Sequence, residues 1–273
     1  MIKIFRKTRQ RLLTENKFSK YLIYAIGEII LVVIGILIAL QINDWDIKKN
    51  QQQQIKEYAK LYIQDLEADI LMIKINYNNI KNISDKIDSL ALSVQNKKIE
   101  EISNIDFLCL TWNILYRPYR WNRSTIEQMK SSGSLQYIEN DSISKKIGEY
   151  DAFTHHIDGD YLNDKAKSEN SLNLISQVVN SNYSNIKELR KNVFMKINNP
   201  ELDEFHLYSE PEYLKSKNYN LRLITNDIQD VDMVINSLIR LQAYYDIRYN
   251  FEIPELTSDA EELITLLKET YLE

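Results

Sequence analysis

The stretch that decides the architecture is residues 21–42, which read YLIYAIGEIILVVIGILIALQI. Between Ile29 and Leu40 it contains no polar side chain. A helix of these 22 residues extends about 33 Å, and the hydrocarbon core of a bilayer is roughly 30 Å thick. A buried core helix does not need so long an apolar run, and a signal peptide rarely has a long basic leader. The stretch therefore predicts a retained transmembrane helix.

The charges on the two sides of this helix differ. Residues 1–20 carry seven basic side chains against Glu15 alone, a net charge of +6. Glu28 is the one charged residue in 21–42, so residues 43–273 carry −10 of the chain total of −5. Lysine and arginine excess marks the cytoplasmic flank of a membrane helix. We expect 1–20 to be a basic cytoplasmic tail and 43–273 an extracytoplasmic domain, periplasmic if the helix lies in a bacterial inner membrane.

One face of the membrane helix carries a polar and small-residue stripe. At 100° per residue, five side chains fall within about 40° of one line: Tyr24, Glu28, Val32, Gly35 and Ala39. A carboxylate at this depth is costly and usually faces protein or water. The pair Gly35 and Ala39 lets two helix backbones approach closely. The stripe predicts a helix–helix interface, and with it a homo-oligomer or a membrane-protein partner, rather than a Glu28 that stays neutral in lipid.

The rest of the chain is expected to be all-α. No glycine or proline occurs between Gly35 and Pro118, so no residue there forces a helix to end. Residues 55 to 94 carry a heptad stripe that favours a long helix from about 48 to 95, at positions 55, 59, 62, 66, 69, 73, 76, 80, 83, 87, 90 and 94. A second stripe, from 221 to 245, predicts a long helix at about 217–250. The two helices either pair antiparallel within one chain, or the first coils with copies of itself.

Shorter helices are expected between and after them. A head of short helices is predicted at about 106–216, one of them capped by Asn122 and ended by Gly133. Another is predicted from Asn140 or Asp141 to about Thr154. Beyond Pro254, Ser258 and Glu261 form a capping-box pattern that predicts a last helix at about 257–272.

Aromatic and arginine residues crowd one short segment. This aromatic–arginine cluster comprises Trp112, Tyr116, Arg117, Tyr119, Arg120, Trp121 and Arg123. Such side chains stack on a ligand or a partner, which makes the cluster a candidate contact site. They equally form cation–π contacts within a fold, and such pairs are common. We favour the structural interpretation and keep ligand or partner contact as the alternative.

No catalytic, cofactor or metal site is predicted. The segment Thr154–Asp160 holds His155, His156, Asp158 and Asp160, but adjacent histidines point about 100° apart on a helix. A polar turn between two helices fits these residues better than a metal site. The single cysteine, Cys109, excludes an intramolecular disulfide. A domain of charge −10 outside the cytoplasm does not suit a nucleic-acid partner, and none is predicted.

The N-terminal sequence also carries a resemblance. The basic leader and the span YAIGEIILVVIGILIALQINDW, at residues 24–45, resemble the opening of a Bacteroidota family of single-pass membrane proteins with no assigned function. A weaker similarity covers residues 126–140, IEQMKSSGSLQYIEN. The resemblance implies the same topology, an inner-membrane location and a helical region behind the span. Asp44 and Asp46 stand where that family often has Asn.

These observations favour a scaffold or accessory subunit without catalysis. Assembly is expected through the membrane stripe and through the heptads of 55–94. The alternative is a periplasmic sensor or ligand-binding helical module, which recognises a small molecule through the aromatic–arginine cluster and signals through a partner. An enzyme is disfavoured because the sequence contains no catalytic constellation.

Overall fold

The computed structural model describes residues 18–181 and 222–272, together with a few isolated positions between them. The predicted tail, residues 1–20, lies almost entirely outside the described residues. The described part is helical and contains no strand, which confirms the expected class. Within the described residues, six α-helices follow one another: α1 Phe18–Val94, α2 Asn104–Thr111, α3 Ser124–Ser132, α4 Asp141–Val178, α5 Ile228–Ile247 and α6 Ile253–Tyr271. A π turn, Arg248–Glu252, links α5 to α6, and short 3₁₀ turns lie at Ile99–Glu101 and Ser134–Tyr137.

The chain divides into two compact units, Met1–Lys56 and Glu57–Glu273. In the first unit, α1 contains a segment long and apolar enough to cross a membrane, with a mean hydropathy of 2.6. None of that segment is buried. A helix that was part of a water-soluble core would bury such side chains, so the exposure supports the predicted span.

In the second unit, the long helices form an antiparallel bundle. Glu67 of α1 pairs with Lys268 of α6 at 3.2 Å, and Ser84 donates to Asp246 of α5 at 2.9 Å. As residue numbers increase along α1, those of the residues it contacts in α5 and α6 decrease, so the helices are antiparallel. Ser171 of α4 lies 2.7 Å from Ser237 of α5, and the earlier Lys146 of α4 pairs with the later Glu262 of α6 at 2.6 Å, so α5 and α6 run antiparallel to α4 as well.

The heptad stripe of α1 faces the inside of this bundle. From Ala59 to Leu90, every stripe position is 3% exposed or less. The polar position Asn76 donates from Nδ2 to the carbonyl of Arg117 at 3.2 Å. Of the two arrangements that the sequence left open, packing within the chain is the one observed. The expectation that these heptads assemble copies of the chain is corrected, because the same side chains already fill the chain's own core.

The region from Asp141 to Val178 is one helix of 38 residues. The predicted end near Thr154 and the polar turn at 154–160 are therefore wrong. Glycine inside a helix costs roughly 1 kcal/mol relative to alanine, and α4 contains Gly148 and Gly159. Its buried face, which includes Ile147, Ile157 and Ile175, outweighs that cost because each buried side chain contributes about 1.5–3 kcal/mol.

The caps of the shorter helices are partly as expected. Gly133 ends α3 with a left-handed φ of 69°, and Asn140 caps α4 by accepting from the Ser142 N–H at 3.0 Å. The prediction that Asn122 caps α3 is wrong. The N-cap is Arg123, and the Asn122 side chain instead donates to Asp69 of α1 at 3.0 Å.

The C-terminal helices are continuous where a break was expected. The helix predicted from 217 begins at Ile228, with Asp227 as its cap, and residues 217–221 lie outside the described residues. The predicted capping box at Ser258 is wrong, since α6 already begins at Ile253. Proline clashes with the carbonyl four residues earlier in a regular α-helix. The π turn just before Pro254 widens the helix there, which lets the chain continue.

Lys86 of α1 lies on the buried side of the bundle, 2% exposed. Burial lowers the pKa of its ammonium to about 8 from the ordinary 10.5, against a smaller opposite effect of Cys109. The unfolded chain therefore holds a proton over a pH range in which the folded chain releases it. The free-energy cost of burying the charged Lys86 is therefore at its full value below about pH 8 and disappears above about pH 10.5.

The stability of the wild type should consequently rise with pH relative to Lys86→Met. Since one pKa unit is worth about 1.4 kcal/mol, we expect a relative gain of about 2 kcal/mol between pH 7 and pH 9.5. In detergent-solubilised full chain this is a change of about 4–8 °C in the difference between the two Tm values. The exposed Lys60→Met is the control. A Tm difference that stays constant with pH would contradict the expectation.

Candidate functional site

The predicted membrane stripe lies on the exposed part of α1. Glu28 is half-buried, Val32 is 58% exposed and Ala39 is exposed. A Cβ built on Gly35 would meet nothing within 4 Å. The side chain of Tyr24 lies outside the described residues. The face that the sequence identified is therefore open to solvent, lipid or another helix along most of its length.

The aromatic–arginine cluster separates into buried and exposed members. Tyr116 and Tyr119 are buried, and Trp121 and Arg123 are half-buried. Trp112 is the C-cap of α2 and is half-buried. The remaining two members, Arg117 and Arg120, are exposed. Much of the cluster is thus part of the fold's interior and does not form an open recognition surface.

The buried aromatic rings pack against one another. Tyr119 stacks on Trp121 with ring centroids 4.9 Å apart and an interplanar angle of 3°. Tyr116 meets Tyr119 edge-on at 5.9 Å and Tyr245 of α5 at 5.7 Å. Such pairs contribute about 0.5–1.5 kcal/mol each beyond the area they bury. They join the loop before α3 to the long helices.

The polar tips of these aromatics reach the acidic face of α4. The Trp121 Nε1–H donates to Asp158 at 2.9 Å, and the Tyr116 hydroxyl donates to Asp164 at 2.8 Å. Arg123 pairs with Asp158 at 2.8 Å. The structure thereby brings together the aromatic–arginine cluster and the acidic segment of α4, which the sequence analysis treated as separate.

An acidic cluster of the buried Asp164 and the part-buried Asp160 and Glu252 surrounds Arg248 of the π turn. The Arg248 guanidinium lies 3.1 Å from Asp160, 3.1 Å from Asp164 and 2.6 Å from Glu252. The Arg248 side chain is 5% exposed, and that of Asp164 is 0% exposed. Burial by itself lowers the pKa of Arg248. The negative charges of Asp164 and then Glu252 raise it by more than burial lowers it, so the net shift is upward. The arginine is therefore charged at any physiological pH.

His156 extends the acidic cluster to the surface. It is 59% exposed, and its Nε2 lies 3.1 Å from Asp160 Oδ2 and 3.7 Å from Glu252 Oε1. One residue earlier, His155 is equally exposed but points to Asp151, at 4.0 Å. The two adjacent histidines thus occupy different surroundings, as their position on one helix requires.

No family model, curated protein or solved structure matches this chain. The resemblance to the Bacteroidota membrane family therefore stays a prediction. Any function has to be argued from the geometry of the chain's own side chains.

Three residues at the acidic cluster, Asp164, Arg248 and Glu252, were not among the predicted site residues. The spacing of His156, Asp160 and Asp164 places all three on one face of a helix. That signal was hidden because a turn was predicted at 154–160. Arg248 and Glu252 had no local signal, since only the packing of the π turn against α4 brings them to this face.

Proposed function

We propose that this chain is a single-pass inner-membrane protein that acts as a self-associating scaffold or accessory subunit. In this proposal the N-terminus is cytoplasmic and the helical bundle is periplasmic. Self-association occurs through the stripe of α1 that contains Glu28, Gly35 and Ala39, since the heptads further along α1 are buried in the bundle.

One observation carries the proposal. The large apolar side chains of α1 between Ile29 and Leu40 are all at least 46% exposed. Exposure of this extent is unfavourable in water by about 25 cal/mol per Å², so lipid or another helix has to cover them. Gly35, with open space at its Cβ, provides a surface on which a second backbone can pack closely.

The bundle supports a role without catalysis. Its buried aromatic and charged side chains serve mainly as partners for one another, as in the contacts of Trp121 and Arg123 with Asp158. A catalytic site instead combines a nucleophile, a base and a stabiliser of developing charge around space for a substrate. The described residues around Asp158 are packed in the manner of a structural junction.

The test is a matched pair of glycine substitutions. Gly35→Leu places a bulky side chain on the proposed interface, and Gly27→Leu makes the same change about 100° away from it around the helix. Both positions have open space in the single chain, so neither substitution disturbs the fold of one copy. In mild detergent, mass photometry should find an oligomer for the wild type and Gly27→Leu, and a single chain for Gly35→Leu.

Two results would reject self-association by the stripe. One is a wild-type protein that is already a single chain at native expression level. The other is an oligomer whose size Gly35→Leu leaves unchanged. A second protein that co-purifies at fixed ratio with the wild type, and is lost with Gly35→Leu, would identify the chain as an accessory subunit of that partner.

A second candidate function is a ligand-binding or sensor module. A groove of about 1020 Å³ lies between α4 and α5, lined by apolar Leu174, Met233 and Tyr244 and by polar Asn170 and Arg240. A ligand in this groove would contact both helices at once. In this alternative the ligand site is the groove, because the aromatic–arginine cluster is largely used in internal packing.

A further inference from the structure

We propose that His156, Asp160 and Glu252 bind a divalent transition-metal ion. Each residue offers one ligand atom, and these atoms all lie within 4.8 Å of one another. The first two residues are one helical turn apart on α4, and the third comes from the π turn. A metal at this point would fasten α4 to the junction of α5 and α6. The proposal does not depend on self-association.

The geometry leaves a ligand atom available on each side chain. Glu252 uses Oε2 for Arg248, at 2.6 Å, while its Oε1 faces His156 Nε2 at 3.7 Å. The Oδ2 atom of Asp160 lies 3.1 Å from the same Nε2 and 3.1 Å from the Arg248 guanidinium, but it makes no hydrogen bond with the described residues. Because the imidazole is 59% exposed, an ion reaches the site from solvent without any opening of the bundle.

The charge of the site calls for a divalent ion. Asp160, Asp164 and Glu252 bring three negative charges, and Arg248 is the one cation paired with all of them. These three carboxylates and the one guanidinium sum to a formal charge of −2. Buried charge that is not balanced is strongly unfavourable. A divalent cation at the three ligands balances this charge in full.

An independent observation comes from Tyr119, which is not part of the cluster. It is 7% exposed, and its hydroxyl makes no hydrogen bond with any residue that the structure describes. Its ring packs against those of Trp121 and Tyr116. These two side chains donate hydrogen bonds to Asp158 and Asp164, respectively. Since its neighbour Tyr116 donates to Asp164, and the charges of Arg248, Asp164, Glu252 and Asp158 act on this hydroxyl, Tyr119 lies on the side of the bundle that carries the acidic cluster.

A buried hydroxyl without a partner costs about 1–3 kcal/mol, and such groups in folded proteins usually have a reason. Within the described part of the chain, the Oδ1 atom of Asp164 is another buried polar atom without a hydrogen bond, on the carboxylate that accepts from Arg248. In this proposal, water bound to the metal ion supplies both atoms with a hydrogen-bond partner, because a bound water both donates and accepts.

The ligand types select the class of metal. One imidazole with two carboxylates suits Zn²⁺ and its transition-metal neighbours, whereas Mg²⁺ and Ca²⁺ prefer oxygen ligands alone. Arg248 is a positioning residue in this arrangement, since it holds the two carboxylates towards the imidazole.

The experiment uses the full-length protein in detergent, stripped with chelator and titrated with Zn²⁺ by calorimetry, with Tm measured in parallel. We expect one Zn²⁺ per chain and a rise in Tm that an equal concentration of Mg²⁺ does not produce. His156→Ala should weaken Zn²⁺ binding by at least about tenfold, the low end of what lost support around a metal costs. His155→Ala is the matched control, because it removes an equally exposed histidine that faces Asp151 instead.

Glu252→Gln provides a second variant from the other element. It keeps an oxygen for Arg248 but removes the charge, and should also weaken Zn²⁺ binding by at least about tenfold. Three outcomes would overturn the proposal: no bound Zn²⁺ in the wild type, equal losses for His155→Ala and His156→Ala, or a response to Mg²⁺ as large as that to Zn²⁺.

Discussion

Arg248→Met is expected to destabilise the bundle by about 3–5 kcal/mol, the usual effect of removing one partner from a buried ion pair. The substitution leaves Asp160, Asp164 and Glu252 close together without the guanidinium that joins them. Methionine keeps most of the side-chain volume, so the loss reflects charge rather than a cavity. In thermal denaturation of the detergent-solubilised chain, Tm should fall by roughly 6–20 °C.

Arg240→Met is the matched control for this effect. Arg240 lies on α5, the helix that precedes the π turn, but its side chain is exposed at the groove between α4 and α5. The control should change stability by no more than about 0.5 kcal/mol. Arg248→Lys should fall between the two, since it keeps the charge but loses the forked geometry that reaches three carboxylates. Equal Tm values for Arg248→Met and Arg240→Met would show that the buried pairs add nothing to stability.

Asp69→Ala should be the second strongest perturbation, at about 3 kcal/mol. Asp69 is 3% exposed and accepts three hydrogen bonds, from the Asn122 backbone at 2.9 Å, its side chain at 3.0 Å and the Tyr150 hydroxyl at 3.3 Å. The substitution leaves all three buried or part-buried donors without their acceptor, at about 1 kcal/mol or more each. Burial raises the pKa of Asp69, although these hydrogen bonds oppose the shift.

Two substitutions separate the hydrogen bonds from the rest of the effect. Asp69→Asn keeps one carbonyl oxygen, so it should preserve the two bonds from Asn122 and lose less than half as much stability. Glu67→Ala removes an exposed acid on the same helix, whose pair with Lys268 is at the surface, and should cost no more than about 1 kcal/mol. Urea denaturation of the full chain measures all three, and an Asp69→Ala midpoint equal to that of Glu67→Ala would contradict the argument.

The sequence predicted some helix caps correctly and others wrongly, and each outcome has a physical reason. Gly133 was assigned correctly, and Asn140 was one of the two caps proposed for α4, because a left-handed C-cap and an N-cap are properties of a few neighbouring residues. Asn122 was assigned wrongly because its side chain has a competing acceptor in Asp69, which is 53 residues away in the chain. Local patterns cannot reveal such a competitor.

The same contrast holds for the candidate site. The sequence identified the aromatic residues from Trp112 to Arg123 and the histidines at 155 and 156. It gave no indication that the Tyr116 hydroxyl donates a hydrogen bond to Asp164. Nor did it indicate that Arg248 lies between carboxylates of α4 and of the π turn. These contacts depend on the antiparallel alignment of α4 with α5 and α6, and that alignment is set by packing over the whole bundle.

By itself, the sequence determined the helical class, the apolar helix at residues 21–42 and the inward face of α1 from Ala59 to Leu90. Hydrophobic periodicity fixes these features because burial depends on which side chains share one face of a helix. Only the tertiary structure decided that this face packs within the chain, that α4 continues through Gly159, and that Arg248 gathers Asp160, Asp164 and Glu252. Contacts between distant segments gain their free energy only when the helices have docked, so no local pattern encodes them.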